Sequence, residues 1–224
     1  MSPDNLSRRE LARMIDHAFL RPEATRRDLQ TACDLVGKYR VGGLCVRPCD
    51  VAEAAALLKA AATKAGTVVG FPHGSAVTSI KAAEAARAIA DGAAELDMVV
   101  NIGRLIAGDT DFVRADIAAV VAAAAGRTVK VILECCYLSR DQMAAGCDAA
   151  LAAGAHFVKT STGTGPSGAK VEDVRFLRSR VGDAAGVKAA GGIRTLADAL
   201  AMIEAGANRI GTSSTAAMLD AMTE

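Results

Sequence analysis

Short apolar runs rich in Val and Ile alternate along the chain with longer, Ala-rich segments that carry charges at helical spacing. This pattern predicts strands at 14–17, 43–46, 67–71, 95–100, 129–134, 156–160, 187–190 and 209–212. Helices are predicted between them at 25–39, 51–64, 75–91, 111–125, 140–153, 171–181, 196–205 and 214–222. Ser75, Ser139 and Thr195 stand where N-caps are wanted, and Gly66, Gly92, Gly126, Gly154 and Gly206 stand where helices should stop. The repeat of roughly 20 to 33 residues suits a strand with its crossover helix. Eight such units predict an α/β chain folded as one (β/α)8 TIM barrel, a single domain over 1–224. The rival, a doubly wound open sheet, wants fewer strands and a Gly-x-Gly-x-x-Gly turn after the first one, which is missing.

Composition narrows the picture. Of 224 residues, 51% are hydrophobic and 23% charged with a net charge of +1, which argues against a disordered chain and against nucleic acid as the main partner. There are 49 Ala, no Trp and only 3% aromatic residues, so the core must be built from Val, Ile, Leu and Ala. Charges interrupt every apolar stretch before the roughly 20 residues a membrane span needs. Met1-Ser2-Pro3-Asp4 lacks the basic-then-apolar pattern of a leader. The expectation is a cytoplasmic protein with no membrane partner. The six Cys, at 33, 45, 49, 135, 136 and 147, form no disulfide framework and no Cys-x-x-Cys pair, and the three His are scattered. Free thiols and no metal or other cofactor are expected.

Strand alternation sorts the polar residues. Leu96, Met98 and Val100 would face the helices, leaving Glu95, Asp97, Val99 and Asn101 inside. Val129, Val131 and Leu133 would likewise leave Lys130, Ile132 and Glu134 inside, and Val158 would pack outward while Lys159 shares a face with Phe157. Ionisable groups thus converge on the barrel interior, where they need a partner or a purpose. An ion-pair network closing the barrel is one reading. Lys159 ends the sixth strand and Lys188 lies on the seventh, and neighbouring barrel strands are about 5 Å apart. Repulsion and desolvation should hold at least one of these amines below the ordinary lysine range, making it a nucleophile able to form a Schiff base with an aldehyde or ketone. The structural alternative requires Asp97 or Glu134 to neutralise both.

Two loops add an anion site. Gly191-Gly192-Ile193-Arg194-Thr195 follows the seventh strand and Gly211-Thr212-Ser213-Ser214 the eighth, the places where barrels frequently hold phosphate. Thr162-Gly163-Thr164-Gly165 after the sixth strand adds donors to the same rim.

Phe157-Val158-Lys159-Thr160-Ser161-Thr162-Gly163 resembles the Schiff-base segment of the deoxyribose-phosphate aldolase family, and Val187-Lys188-Ala189-Ala190-Gly191-Gly192-Ile193-Arg194 its second-lysine segment. Ile15-Asp16-His17, Leu44-Cys45-Val46, Gly70-Phe71-Pro72-His73-Gly74, Glu95 to Asn101 and Lys130 to Glu134 match in the same order, over nearly the whole chain. The resemblance implies a TIM-barrel class I aldolase that reversibly cleaves 2-deoxy-D-ribose 5-phosphate to D-glyceraldehyde 3-phosphate and acetaldehyde in deoxyribonucleotide catabolism. It implies Lys159 as the Schiff-base nucleophile and Lys188 as the group that depresses its pKa. Asp97 would work with a water as proton relay, supported by Asp16. The phosphate would rest on Gly163, Gly191, Gly192, Gly211, Ser213 and Ser214, with Thr162 and Cys45 also lining the pocket. The partners implied are a phosphorylated sugar and a small aldehyde, and small apolar helix faces would suit a homodimer.

Three departures stand out. Ala18 replaces the family's usual Thr, Cys135-Cys136 follows Glu134 where Thr is common, and Thr223-Glu224 replaces a tail with a terminal Tyr; slower turnover or a shifted substrate range would follow. His73 is read equally as a site neighbour and a loop stabiliser, Cys33 and Cys147 as packing, and Asp109-Thr110-Asp111 as a turn and helix cap. A Schiff-base aldolase for another phosphosugar and a non-catalytic phosphosugar sensor are the competing functions.

Overall fold

The computed structural model describes residues 6–222; Met1-Ser2-Pro3-Asp4 and Thr223-Glu224, on which the leader and tail readings rest, lie outside it. The strands are β1 (Ile15–Phe19), β2 (Gly43–Val46), β3 (Lys64–Val69), β4 (Glu95–Val99), β5 (Thr128–Ile132), β6 (Phe157–Lys159), β7 (Gly186–Ala190) and β8 (Arg209–Thr212). They pair in parallel in chain order, and β8 returns to β1, with Asp16 opposite Gly211, to close the barrel. The sequence-predicted eight-unit (β/α)8 architecture is the one observed.

Around it run α1 (Arg8–Met14), α2 (Arg26–Tyr39), α3 (Val51–Leu57), α4 (Thr78–Ala90), α5 (Ile102–Ile106), α6 (Thr110–Ala123), α7 (Arg140–Ala152), α8 (Val171–Val181), α9 (Leu196–Glu204) and α10 (Thr215–Asp220). The helix-facing set predicted by alternation, Leu96, Met98, Val100, Val129, Val131, Leu133 and Val158, is fully buried in the apolar layer between sheet and helices. Small Ala residues on the helices, such as Ala54, Ala85, Ala149 and Ala199, allow that layer to close without large aromatics. No helix among the described residues is long and apolar enough to cross a membrane.

Several local expectations are corrected. The predicted helix 51–64 stops at Leu57, because Lys64, Ala65 and Gly66 pair instead with Gly43, Leu44 and Cys45 of β2; tertiary pairing overrides alanine's helix preference. Gly66 is therefore a strand residue. Ser75 caps nothing: the chain first turns through Gly74, whose N–H donates to Gly70 O at 2.8 Å, and α4 starts behind Val77. Asn101 is not an interior residue but the N-cap of α5, its side chain accepting from Arg104 N–H at 3.1 Å. Asp109 caps α6, as expected, by accepting from Phe112 N–H. α1 was not predicted, although Ser7 and Glu10 form a capping box in front of it.

Outside the barrel core, Lys81 on α4 is completely buried. Its Nζ donates to Asp116 of α6 at 2.6 Å and to Val99 O of β4 at 3.0 Å, while Thr78 donates to the other Asp116 oxygen. The pair pins two helices to the end of β4.

Candidate active site

The interior of the barrel holds a continuous charged network. On β4 and β5, Asp97 and Lys130 are cross-strand neighbours, and on β6 and β7 so are Lys159 and Lys188. Lys159 Nζ donates to Asp97 Oδ2 at 2.7 Å, and Lys188 Nζ donates to the same oxygen at 2.7 Å and to Asp16 Oδ2 at 2.5 Å. Lys130 Nζ lies 2.6 Å from Glu95, 2.9 Å from Asp97 and 3.2 Å from Asp16. Arg209, at the start of β8, closes the network by pairing with Asp16 and with Glu95. Space for these long side chains comes from glycines in the flanking strands: a Cβ on Gly43 would lie 2.6 Å from Asp16 Oδ1, and one on Gly211 3.3 Å from Lys188 Cε.

Charge counting explains how the network behaves. Three carboxylates face four basic side chains, so the network is neutral when one base gives up its proton. Lys130 touches three carboxylates, Lys188 and Arg209 two each, and Lys159 only Asp97. Lys159 is therefore the base least supported as a cation. Burial pushes its amine below the ordinary lysine value; Asp97 pulls the other way and the Lys188 ammonium adds to the depression. For Lys188 and Lys130 burial acts in the same downward sense, but Asp16 and Asp97 overcome it and both are held above the ordinary value. Burial raises the Asp16 and Asp97 carboxyls, yet the cations win and both are held well below the usual carboxylate range. Of the two effects expected from sequence to depress a lysine here, burial is the larger at Lys159 and the neighbouring ammonium the smaller.

Above the network a cavity of about 370 Å³ opens at the C-terminal ends of the strands. Asp16, Cys45, Lys159 and Lys188 line its floor, Ala18, Leu20, Phe71 and Ile193 its apolar walls, and Thr162, Gly163, Gly191, Gly192, Gly211 and Ser213 its rim, with Arg21 and Arg194 at the mouth. Asp97 does not line it: the side chain is 2% exposed and reaches the cavity only through the two lysines. Burial pushes the Cys45 thiol up to about 11, so it stands as a neutral wall.

Within the rim, the β6–α8 loop crosses the β7–α9 loop at van der Waals contact. Ala169 N–H donates to Gly191 O at 3.0 Å, and a Cβ on Gly168 would sit 2.2 Å from that carbonyl oxygen. Gly191 itself has φ +91, a conformation only glycine adopts without strain.

A family model described as DeoC/LacD family aldolase matches residues 11–219. Among curated proteins, the deoxyribose-phosphate aldolase of Thermococcus gammatolerans is 53% identical over 209 residues, covering 92% of this chain and 93% of its own, and that of Thermococcus kodakarensis is 52% identical over 213 residues, covering 93% and 95%. The chain belongs to the DeoC/LacD aldolase family. Among solved structures, the tetrameric deoxyribose phosphate aldolase from Aeropyrum pernix superposes with a TM-score of 0.91 at 33% identity, covering 97% of this chain and 93% of that one.

Within this DeoC/LacD aldolase, twelve residues were singled out from sequence. Asp16, Cys45, Thr162, Gly163, Gly191, Gly192, Gly211 and Ser213 meet Lys159 and Lys188 around one cavity, with Asp97 beneath it. Ser214 does not line it; its N–H donates to Thr212 Oγ1 at 2.9 Å, within the turn that starts α10. Thr162 lines it with its donors engaged, since both its N–H and its hydroxyl go to Glu134. Glu134, expected inside with Lys130, instead sits at φ 59 beyond the end of β5 and braces that loop. His73 is exposed and does not line the cavity. Arg209 was missed, although it lies two residues before Gly211 and so shares its inward face. Lys130 and Glu95 were placed inside correctly but given no role.

Proposed function

We propose that this chain is a class I aldolase that reversibly cleaves 2-deoxy-D-ribose 5-phosphate to D-glyceraldehyde 3-phosphate and acetaldehyde, the activity carried by the names of its relatives. The observation that carries the reading is Lys159: the base in excess in a buried network, its amine at the floor of a cavity whose rim is rich in glycine.

In this reading the Lys159 amine attacks the C1 carbonyl of the open-chain sugar, and loss of water from the carbinolamine leaves a protonated imine. The C3 hydroxyl proton passes to a water on the cavity floor beside the two lysines that Asp97 holds, and the same relay later returns a proton to C2 of the enamine. The electrons of the C2–C3 bond then move into the imine, releasing glyceraldehyde 3-phosphate and leaving an enamine. Protonation of that enamine at C2 and hydrolysis release acetaldehyde and return the free amine. Asp97 keeps its negative charge throughout because Lys130 and Lys188 hold it, so it orients and polarises the relay, while Asp16 fixes Lys188 from the other side. Main-chain N–H groups at Gly163, Gly191, Gly192, Gly211 and Ser213 receive the phosphate, and Arg21 and Arg194 add positive charge at the mouth.

The reading extends to a cytoplasmic location, a part in deoxyribonucleotide catabolism, and a homodimer that covers the exposed Val77, Ile80 and Ile106. Light scattering gives the subunit number. Release of glyceraldehyde 3-phosphate from deoxyribose 5-phosphate in a coupled assay tests the activity. Preferential cleavage of fructose phosphates, or sugar-phosphate binding with no turnover, would contradict it.

A further inference from the structure

We propose that Arg209 and Glu95 are positioning residues: without touching substrate, they act in opposite senses on the charge balance around the Lys159 amine, Arg209 favouring its free form and Glu95 its ammonium. The inference rests on the class I reading and extends it to two residues at the closed end of the barrel. Arg209 is the first residue of β8 and Glu95 the first of β4, so both sit at the N-terminal ends of their strands, and neither lines the cavity. They are coupled to Lys159 through shared carboxylates. Arg209 pairs with Asp16 and Glu95, Glu95 with Lys130, Asp16 with Lys188, and Lys188 shares one Asp97 oxygen with Lys159.

The groups facing this network from every strand can be counted. Asp16 comes from β1, Glu95 and Asp97 from β4, Lys130 from β5, Lys159 from β6, Lys188 from β7 and Arg209 from β8; β2 gives only the uncharged Cys45 thiol, and Lys64 at the start of β3 borders the gap beside Glu95, Asp97 and Lys130 from its solvent side, exposed and in no ion pair with them, so that its charge is screened by water. With Lys159 neutral, three carboxylates balance three cations. Removing Arg209 leaves three carboxylates against Lys130 and Lys188, and the free proton site that restores neutrality is Lys159. Removing the charge of Glu95 does the reverse and makes the Lys159 proton easier to lose. One full charge in a buried network moves a neighbour's titration by about one pH unit, a tenfold change in neutral amine.

The test is the rate at which acetaldehyde and borohydride trap Lys159, followed against pH for the intact protein and for Arg209→Met, Arg209→Lys, Glu95→Gln and the Arg209→Met/Glu95→Gln double variant. The expected midpoint moves up by about one unit in Arg209→Met, down in Glu95→Gln, and returns close to the intact protein's in Arg209→Lys and in the double variant. Glu95→Gln keeps the side chain's size and so tests the sign even where Arg209→Met folds poorly. Midpoints that stay put while rates fall, or that move the same way in both single variants, overturn the proposal. Absence of any Lys159 adduct in the intact protein would instead refute the class I reading on which it rests.

Discussion

Replacing Lys188 by Met removes one cation from the group that surrounds the nucleophile. Its Nζ and that of Lys159 each lie 2.7 Å from the same Asp97 oxygen, so the two nitrogens are separated by at most twice that distance. At roughly 5 Å and an effective dielectric near 20, two unit charges repel by about 3 kcal/mol, or about two pK units. The sign follows from the direction of the Lys159 shift: its pKa is depressed, so the amine is active above that value and silent below it. Without Lys188 the value climbs back toward the ordinary lysine range. At a pH below both values, kcat/KM should fall about 100-fold, and most of the loss should be regained as pH is raised by about two units. The assay is the pH profile of deoxyribose 5-phosphate cleavage, with circular dichroism confirming that the variant is folded. An acidic limb left where it is in the intact protein, whatever the size of the loss, would refute the electrostatic account of Lys188.

Gly168→Ala places a methyl against Gly191 O and should displace the rim loop; KM for the phosphorylated sugar should rise about tenfold or more while cleavage of unphosphorylated deoxyribose is little changed, which paired steady-state kinetics will show. Lys81→Met strands Asp116 as an unpaired buried charge and should cost about 3–5 kcal/mol in urea unfolding, most of it recovered in Lys81→Met/Asp116→Leu. Burial pushes His17 down to about 4 from 6.5, so between those values the unfolded chain binds a proton that the folded one refuses. Stability should therefore decline by up to about 3 kcal/mol as pH falls from about 6.5 to about 4, and His17→Gln should flatten that part of the curve in denaturation experiments.

The barrel was legible because its two periodicities are clean: outward Val, Leu and Met on the strands, and Ala-rich amphipathic helices between them. Alternation also placed Glu95, Asp97, Lys130 and Lys159 on the interior before any contact was known. What it could not supply was connectivity. Lys159 stands apart only because it touches one carboxylate where Lys130 touches three, a difference set by shear between strands that no single segment encodes. Alternation likewise fails past strand ends: Asn101 and Glu134 continue the inward phase on paper, but the backbone has already turned, into a helix cap and into a left-handed residue. The stretch 58–64 was misread because alanine-rich sequence is equally good helix and filler, and only pairing with β2 decides it.

The central claim, that one buried amine in this barrel is the nucleophile, is tested most directly by reducing the protein with borohydride in the presence of acetaldehyde and mapping the ethylated residue by peptide mass spectrometry. The account predicts one stoichiometric adduct on Lys159, absent from Lys159→Leu. An adduct on Lys188 or Lys130, or none at a pH where the sugar phosphate is cleaved, would contradict it.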